Sequence, residues 1–198
     1  MKVVLATNNE GKLSEFRSLL EPLALELVGQ AELGIASIPE IGITFVENAL
    51  AKARHVSALS NCPALSDDSG LVVDVLRGEP GIHSARFAGS DASDVENNDK
   101  LLALLANNKS SKSRSAHFYC ALVFLRHAKD PAPIIATGQW YGTIATEPKG
   151  TNGFGYDPLF FVSELGLTSA ELKPEAKNRI SHRGQAVQEL CTRLAPLI

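Results

Sequence analysis

The chain has 198 residues, 44% of them apolar and 21% charged, with a formal net charge of -3. A chain of this length can bury about 70% of the surface that its unfolded form exposes, so it needs no covalent staples. The small negative charge supplies no general field for nucleic acid or an anionic membrane, and any anion it binds must be held by local donors.

Cys62, Cys120 and Cys191 lie far apart with no C-x-x-C pair, which excludes a disulfide framework and a zinc site by spacing. The first apolar run meets Thr7-Asn8-Asn9 too early for a signal sequence, and no apolar stretch approaches a membrane span. The expectation is one cytoplasmic, soluble domain over residues 1–198.

Val3 to Ala6 reads as a buried strand, and Lys12 to Leu20 as a helix with Leu13, Phe16, Leu19 and Leu20 at helical spacing. The loop between them, Thr7-Asn8-Asn9-Glu10-Gly11-Lys12, is either a phosphate cradle at a helix start or a plain polar turn. It is not a Walker A loop, because G-x-x-x-x-G-K-[ST] is absent. Pro22 ends the helix, Leu25 to Val28 is a short strand, and Ala31 to Ile43, which contains Glu40, reads as loop.

Thr44 to Glu47 is a capping box for a helix carrying Phe45, Val46, Ala49, Leu50, Ala53 and Val56, on which Asn48 and Lys52 share a face. Ala64 to Ser66 and Leu71 to Val75 are predicted as two short strands around an acidic break, with Gly70 allowing the turn. Ser93 to Glu96 caps a helix with Leu101, Leu102, Leu104 and Leu105, and Asn107 to Ser115 is a basic, serine-rich loop.

Ala116 to Leu125 is apolar at nearly every position after His117, as a central strand covered on both faces would be. Ile134 to Tyr141 and Thr143 to Ala145 continue in extended form. The loop Pro148 to Pro158 contains Gly150, Gly153 and Gly155, and its Phe154 and Tyr156 offer flat faces for a base. A strand at Leu159 to Val162 follows, Thr168 to Glu171 caps another helix, and Ser181-His182-Arg183 leads into the last one. Trp140 and Phe160 are expected in the core, and His55, His83, His117 and His127 show no shared metal spacing.

The stretch Leu65-Ser66-Asp67-Asp68-Ser69-Gly70-Leu71 organises this pattern, since carboxylates beside apolar runs are costly unless paired or coordinating. Glu40, Asp67 and Asp68 offer hard oxygen ligands for Mg²⁺, the opening loop offers phosphate donors, and the aromatic-glycine loop offers a base platform. Donor side chains there would favour a 6-oxo purine over adenine.

Four motifs, Thr7 to Lys12, Ser66 to Leu71, Gly153 to Pro158 and Ser181 to Gly184, run in order through nearly the whole chain. Together they resemble the noncanonical purine nucleoside triphosphate pyrophosphatases, also called inosine triphosphate pyrophosphatases or Ham1-like proteins. The resemblance implies an α/β fold with a mixed central sheet flanked by helices, two lobes around a nucleotide-binding cleft, and a homodimer. It implies Mg²⁺-dependent hydrolysis of ITP, dITP and XTP to the monophosphate and pyrophosphate. It places metal ligands at Glu40 and Asp68, with Asp68 also the proton acceptor. Substrate contacts would fall on Thr7, Asn8, Asn9, Lys12, Lys52 and Ser69, on Phe154, Gly155, Tyr156 and Asp157, and on Lys177, His182 and Arg183. Whether Asp67 shares the base role stays open at this level.

Two other functions fit parts of the sequence. Asp68-Ser69-Gly70 also matches the D-[ST]-G turn of aspartic proteases, present here in one copy, so that reading needs a dimer. A regulatory module that binds nucleotide without turnover would use the same residues, although a bound triphosphate needs no adjacent pair of acids.

Overall fold

Residues 1–23, 25–107 and 114–195 are described by the structure, a computed structural model. The first apolar run forms β1 (Lys2–Leu5), and the chain turns into α1 (Glu10–Leu20) at Asn9, whose side-chain oxygen caps the Lys12 amide at 2.9 Å. Then come β2 (Glu26–Gly29), α2 (Phe45–Ser60), β3 (Ala64–Val73), α3 (Asp94–Asn107), β4 (Ser115–Leu125) and β5 (Ile134–Ile144). Two short strands, β6 (Phe160–Val162) and β7 (Leu167–Thr168), precede α4 (Pro174–Ile180) and α5 (His182–Leu194).

The strands form one seven-stranded sheet in the order β2-β1-β3-β4-β5-β6-β7, so β4 is central, as its apolar run predicts. The sheet is mixed: β1 runs parallel to β2 and β3, while β6 is antiparallel to β5 and β7. With helices flanking it, the fold is α/β of the expected kind. Among the described residues no helix is long and apolar enough to cross a membrane.

Three local expectations are corrected. The acidic stretch is not a break between two strands: β3 runs unbroken through Asp67, Asp68 and Gly70, because each acid has polar partners that let it stay buried inside a strand. Residues 134–144 likewise form one strand, in which burial keeps its period of two through Ala136, Gly138, Trp140 and Ile144. The Thr168 capping box opens only a 3-10 turn, Ser169–Glu171, and α4 starts afresh with Pro174 in its first turn. Most of the basic loop expected between Asn107 and Ser115 lies outside the described residues.

The chain divides into two compact units, Met1–Asp68 with Cys120–Gly138 and His182–Ile198, and Ser69–Tyr119 with Gln139–Ser181. In the first unit, Val3, Leu5, Leu65, Leu122 and Phe124 pack against Phe16 and Leu20 of α1 and Ala186, Val187, Leu190 and Leu194 of α5. Val4, Ala6, Ala64, Val123 and Leu125 point the other way, onto Ala49, Ala53 and Val56 of α2. Each large apolar side chain buried this way contributes about 1.5–3 kcal/mol. The second unit has its own core, in which Phe118, Trp140 and Phe160 form an aromatic cluster beneath Leu101 and Leu105 of α3.

One glycine fixes how α5 meets the sheet. A Cβ on Gly138 of β5 would fall 2.0 Å from the His182 carbonyl oxygen and 2.8 Å from the Ala186 nitrogen, so the helix start sits against bare backbone. Gly138→Ala should therefore destabilise the protein by about 1–3 kcal/mol in urea unfolding, with the strain concentrated at the start of α5. An unchanged unfolding midpoint would disprove the close approach.

Candidate active site

Side chains alternate along a strand, so two adjacent aspartates in β3 must point to opposite faces. Asp67 shares its face with Leu65, which packs toward α1 and α5, and Asp68 shares its face with Ala64, which packs toward α2. The two carboxylates therefore meet different partners, although they are neighbours in sequence.

Asp67 is fully buried and accepts an ion pair from Lys12 Nζ at 2.8 Å, with Arg183 Nε at 3.9 Å. Arg183 is itself buried and pairs with Glu15 of α1 through Nη1 at 2.9 Å. Burial alone would raise the Asp67 pKa, but Lys12, Arg183 and Lys52 outweigh it and hold the group down at about 2. Asp67 is thus a permanent anion that anchors two cations.

Asp68 has a different environment. Its Oδ2 accepts from Asn48 Nδ2 at 3.0 Å, and its Oδ1 lies 3.5 Å from Lys52 Nζ, which pairs more closely with Glu40 at 2.6 Å. Asn48 is held in turn by the Gly42 amide, which donates to its Oδ1 at 2.8 Å. Burial raises the Asp68 pKa, the Lys52 charge opposes this, and the like charge of Glu40 adds to the rise.

Glu40 and Asp68 thus share Lys52 as a cationic partner. Among the described residues no group of three or more His, Cys, Asp or Glu could hold a metal unaided. Two carboxylates that already converge on a cation nevertheless suit Mg²⁺, which usually takes one or two carboxylates and completes its octahedron with water and substrate phosphates.

The second unit contains the aromatic-glycine loop. Asp157 is its buried hub, accepting from the Phe154 amide at 2.9 Å, from Ser169 Oγ at 2.8 Å and from Lys177 Nζ at 2.7 Å. The Lys177 ammonium stands 5.2 Å from the centre of the Phe154 ring. Tyr156 is not a platform for a base: its ring is packed in the core and its hydroxyl donates to the Ser84 carbonyl at 2.9 Å. Phe154, half-buried, is left as the aromatic face that the loop offers.

Residues 3–193 match the Ham1 family. The chain belongs to that family. It is 55% identical over 187 residues to a dITP/XTP pyrophosphatase of Yersinia pseudotuberculosis, an alignment covering 94% of each protein. The fold of a HAM1 protein from Coxiella burnetii superposes with a TM-score of 0.92 at 46% identity, covering 99% of each chain. That of the Staphylococcus aureus Ham1 protein gives 0.87 at 38% identity, covering 100% of both.

Within this Ham1 chain, the first unit gathers Glu40, Lys52 and Asp68 on one face of β3, and Lys12 and Arg183 on the other. His182 is buried at the start of α5. The opening-loop side chains are engaged locally: Thr7 Oγ1 accepts the Asn9 amide at 3.1 Å, and Asn8 Nδ2 donates to Ser37 at 2.7 Å. In the second unit Ser69 follows Asp68 directly, and Phe154, Asp157 and Lys177 form one cluster. Glu15, Ser169 and Ser37 were missed. Glu15 and Ser37 belong to no motif, Ser169 lies in the Thr168 capping box, which gives no sign of its bond to Asp157, and only the folded chain reveals that Glu15 faces Arg183. Asn48 left a faint signal, because it lies four residues from Lys52 on a helix. The protease reading loses its geometry, since Asp68-Ser69-Gly70 lies inside a strand and not on a turn.

The two aspartates should separate on mutation. Because the folded-state pKa of Asp67 lies below its ordinary 3.8, ionised Asp67 stabilises the fold above that pH, and the benefit disappears as pH falls through about 2. Asp67→Asn should cost about 2 kcal/mol near pH 7, and the deficit should shrink as unfolding is repeated at progressively lower pH. A pH-independent deficit would show that the loss is not electrostatic.

Proposed function

We propose that the chain is a nucleoside triphosphate pyrophosphohydrolase, which cleaves dITP, XTP and ITP to the monophosphate and pyrophosphate and so removes them from the nucleotide pool. The observation that carries this reading is the division of roles in β3: Asp67 is locked as a counter-ion, while Asp68 stands with Glu40, Lys52 and Asn48. Membership of the Ham1 family and the dITP/XTP pyrophosphatase relative support the same chemistry.

In this reading Asp68 orients and deprotonates the water that attacks the α-phosphorus. A new P–O bond forms there, the bond to the bridging oxygen of the β-phosphate breaks, and pyrophosphate leaves. Asn48 keeps the Asp68 carboxylate in one rotamer, and its buried setting makes it a better base than its neighbour. Lys52 and Lys12 supply positive charge for the phosphates, and Asp67 keeps Lys12 in position. Glu40 and Asp68 would hold Mg²⁺, which when bound neutralises triphosphate oxygens and eases departure of the leaving group.

Thr7, Asn8, Asn9 and Ser69 are proposed as phosphate and sugar contacts, and Phe154 as the surface on which the base stacks. Lys177, His182 and Arg183 are proposed as donors that suit a 6-oxo group and would meet another donor at the 6-amino group of adenine. Asp157 and Gly155 frame that loop. The cytoplasmic setting and the homodimer belong to the same proposal and are taken from the family resemblance.

A Mg²⁺-dependent pyrophosphate-release screen over ITP, XTP, GTP, ATP and their deoxy forms tests the reading. Release should be fastest with ITP, dITP and XTP; equal release from ATP, or none from any of them, refutes it. Asp68→Asn should retain the fold and lower turnover by on the order of 10²-fold or more. Wild-type turnover in that variant would remove Asp68 from the base role.

A further inference from the structure

Helix α3 carries none of the residues assigned above, yet it grips the aromatic-glycine loop at the two peptide groups that flank one residue, Gly155. Asp94 Oδ2 accepts the Gly155 amide hydrogen at 2.7 Å, and Asn98 Nδ2 donates to the Gly155 carbonyl oxygen at 3.0 Å. Asp94 and Asn98 are four residues apart, one turn of the helix, so they form a two-sided clamp from one helix face. Gly155 has φ +62°, and a Cβ built there would meet nothing within 4 Å. The glycine is needed for its left-handed backbone and not for space.

The residues on either side of Gly155 point to separate destinations. Phe154 turns its ring toward the Lys177 ammonium, and the Tyr156 hydroxyl donates to Ser84, whose own Oγ accepts the Leu71 amide at 2.9 Å. The direction of the Phe154 ring thus depends on how the 154–155 peptide is turned, which Asp94 fixes through the Gly155 amide, while Asn98 fixes the 155–156 peptide beyond it. Asn97, on the same turn of α3, holds the 85–88 segment by accepting the Ala88 amide at 2.7 Å and donating to the Ala85 carbonyl at 3.2 Å. Asn98 is buried, and its Oδ1 has no hydrogen-bond partner among the described residues, an expense that an apolar residue would avoid. The donation to Gly155 is the return for keeping an amide in that place.

We propose that Asp94 and Asn98 are positioning residues that set purine discrimination by fixing the backbone on both sides of Gly155. The proposal rests on the reading of Phe154 and Lys177 as purine contacts. Asp94 is exposed, so its removal loosens the loop without opening a cavity in the core. Base contacts are made alike in the ground and transition states, so loosening them should raise KM and leave kcat nearly unchanged.

The test compares Asp94→Ala, Asp94→Asn and Asn98→Leu. Asp94→Ala should raise KM for ITP by about 10-fold with kcat within about 3-fold, and should lower the ratio of kcat/KM for ITP over ATP. Asp94→Asn, whose amide oxygen can still accept from Gly155, should restore most of the loss. Asn98→Leu removes the donation and the unsatisfied oxygen together, so it should raise KM with no loss of thermal stability. Wild-type KM and selectivity in Asp94→Ala, or a kcat defect at unchanged KM, overturns the proposal. Backbone amide exchange over residues 150–158 gives a readout free of catalysis: it should speed up in Asp94→Ala, and unchanged exchange rules out the clamp. If the wild-type protein released no pyrophosphate from ITP, the activity reading would fall while the exchange experiment still decided the clamp.

Discussion

The period of two along a β-strand governs this protein's chemistry. Asp67 and Asp68 are consecutive in β3, so the strand sends one carboxylate toward α1 and α5 and the other toward α2. Two buried acids on one face would repel, and one would have to take up a proton; on opposite faces each can be matched with its own cations. The result is a division in which Asp67 is held as an anion by Lys12 and Arg183, while Asp68 stays in a less compensated setting beside Glu40 and Lys52. Neighbouring positions thereby acquire different proton affinities without any difference in residue type.

That division depends on helices delivered from distant parts of the chain. Lys12 arrives at the start of α1, Asn48 and Lys52 lie one turn apart on α2, and Arg183 comes from the first turn of α5. The bare backbone of Gly138 lets α5 begin where Arg183 can reach both Glu15 and Asp67. The apolar clusters on the two faces of the first unit therefore act as a jig for the charges. Phe16 and Leu20 seat α1, and Ala49, Ala53 and Val56 seat α2 with side chains small enough for close approach.

Much of this could be read from the sequence, because the signals are local. The capping box at Thr44 starts α2 at Phe45, where the structure has it, and the unbroken apolar run of residues 116–125 marks the central strand. The acidic motif stood out by residue type and the pair Asn48 and Lys52 by helical spacing, whereas Glu40 was placed as a metal ligand by the family resemblance. What misled was reasoning from cost: buried carboxylates suggested a break in β3, whereas partners from α1, α2 and α5 make the acids tolerable within an unbroken strand. Tyr156 misled in a similar way. A tyrosine in a glycine-rich loop reads as exposed, yet its ring completes the core of the second unit and its hydroxyl finds a carbonyl at Ser84. Glu15 and Asp94 carried no signal, since an acid on a helix surface looks solvated until the facing donor is known.

The charge balance of the first unit bears on what it can bind. Lys12, Lys52 and Arg183 stand against Glu15, Glu40, Asp67 and Asp68 in the linked ion pairs around β3, leaving one negative charge in excess. Such a cluster repels a bare triphosphate, and its own lysines are already committed to carboxylates. On the proposed reading, a hard divalent cation held by Glu40 and Asp68 would reverse that sign and would free Lys52 from its double duty. The pairing of these seven side chains therefore favours the proposed reading in which a divalent metal joins them before the phosphates bind.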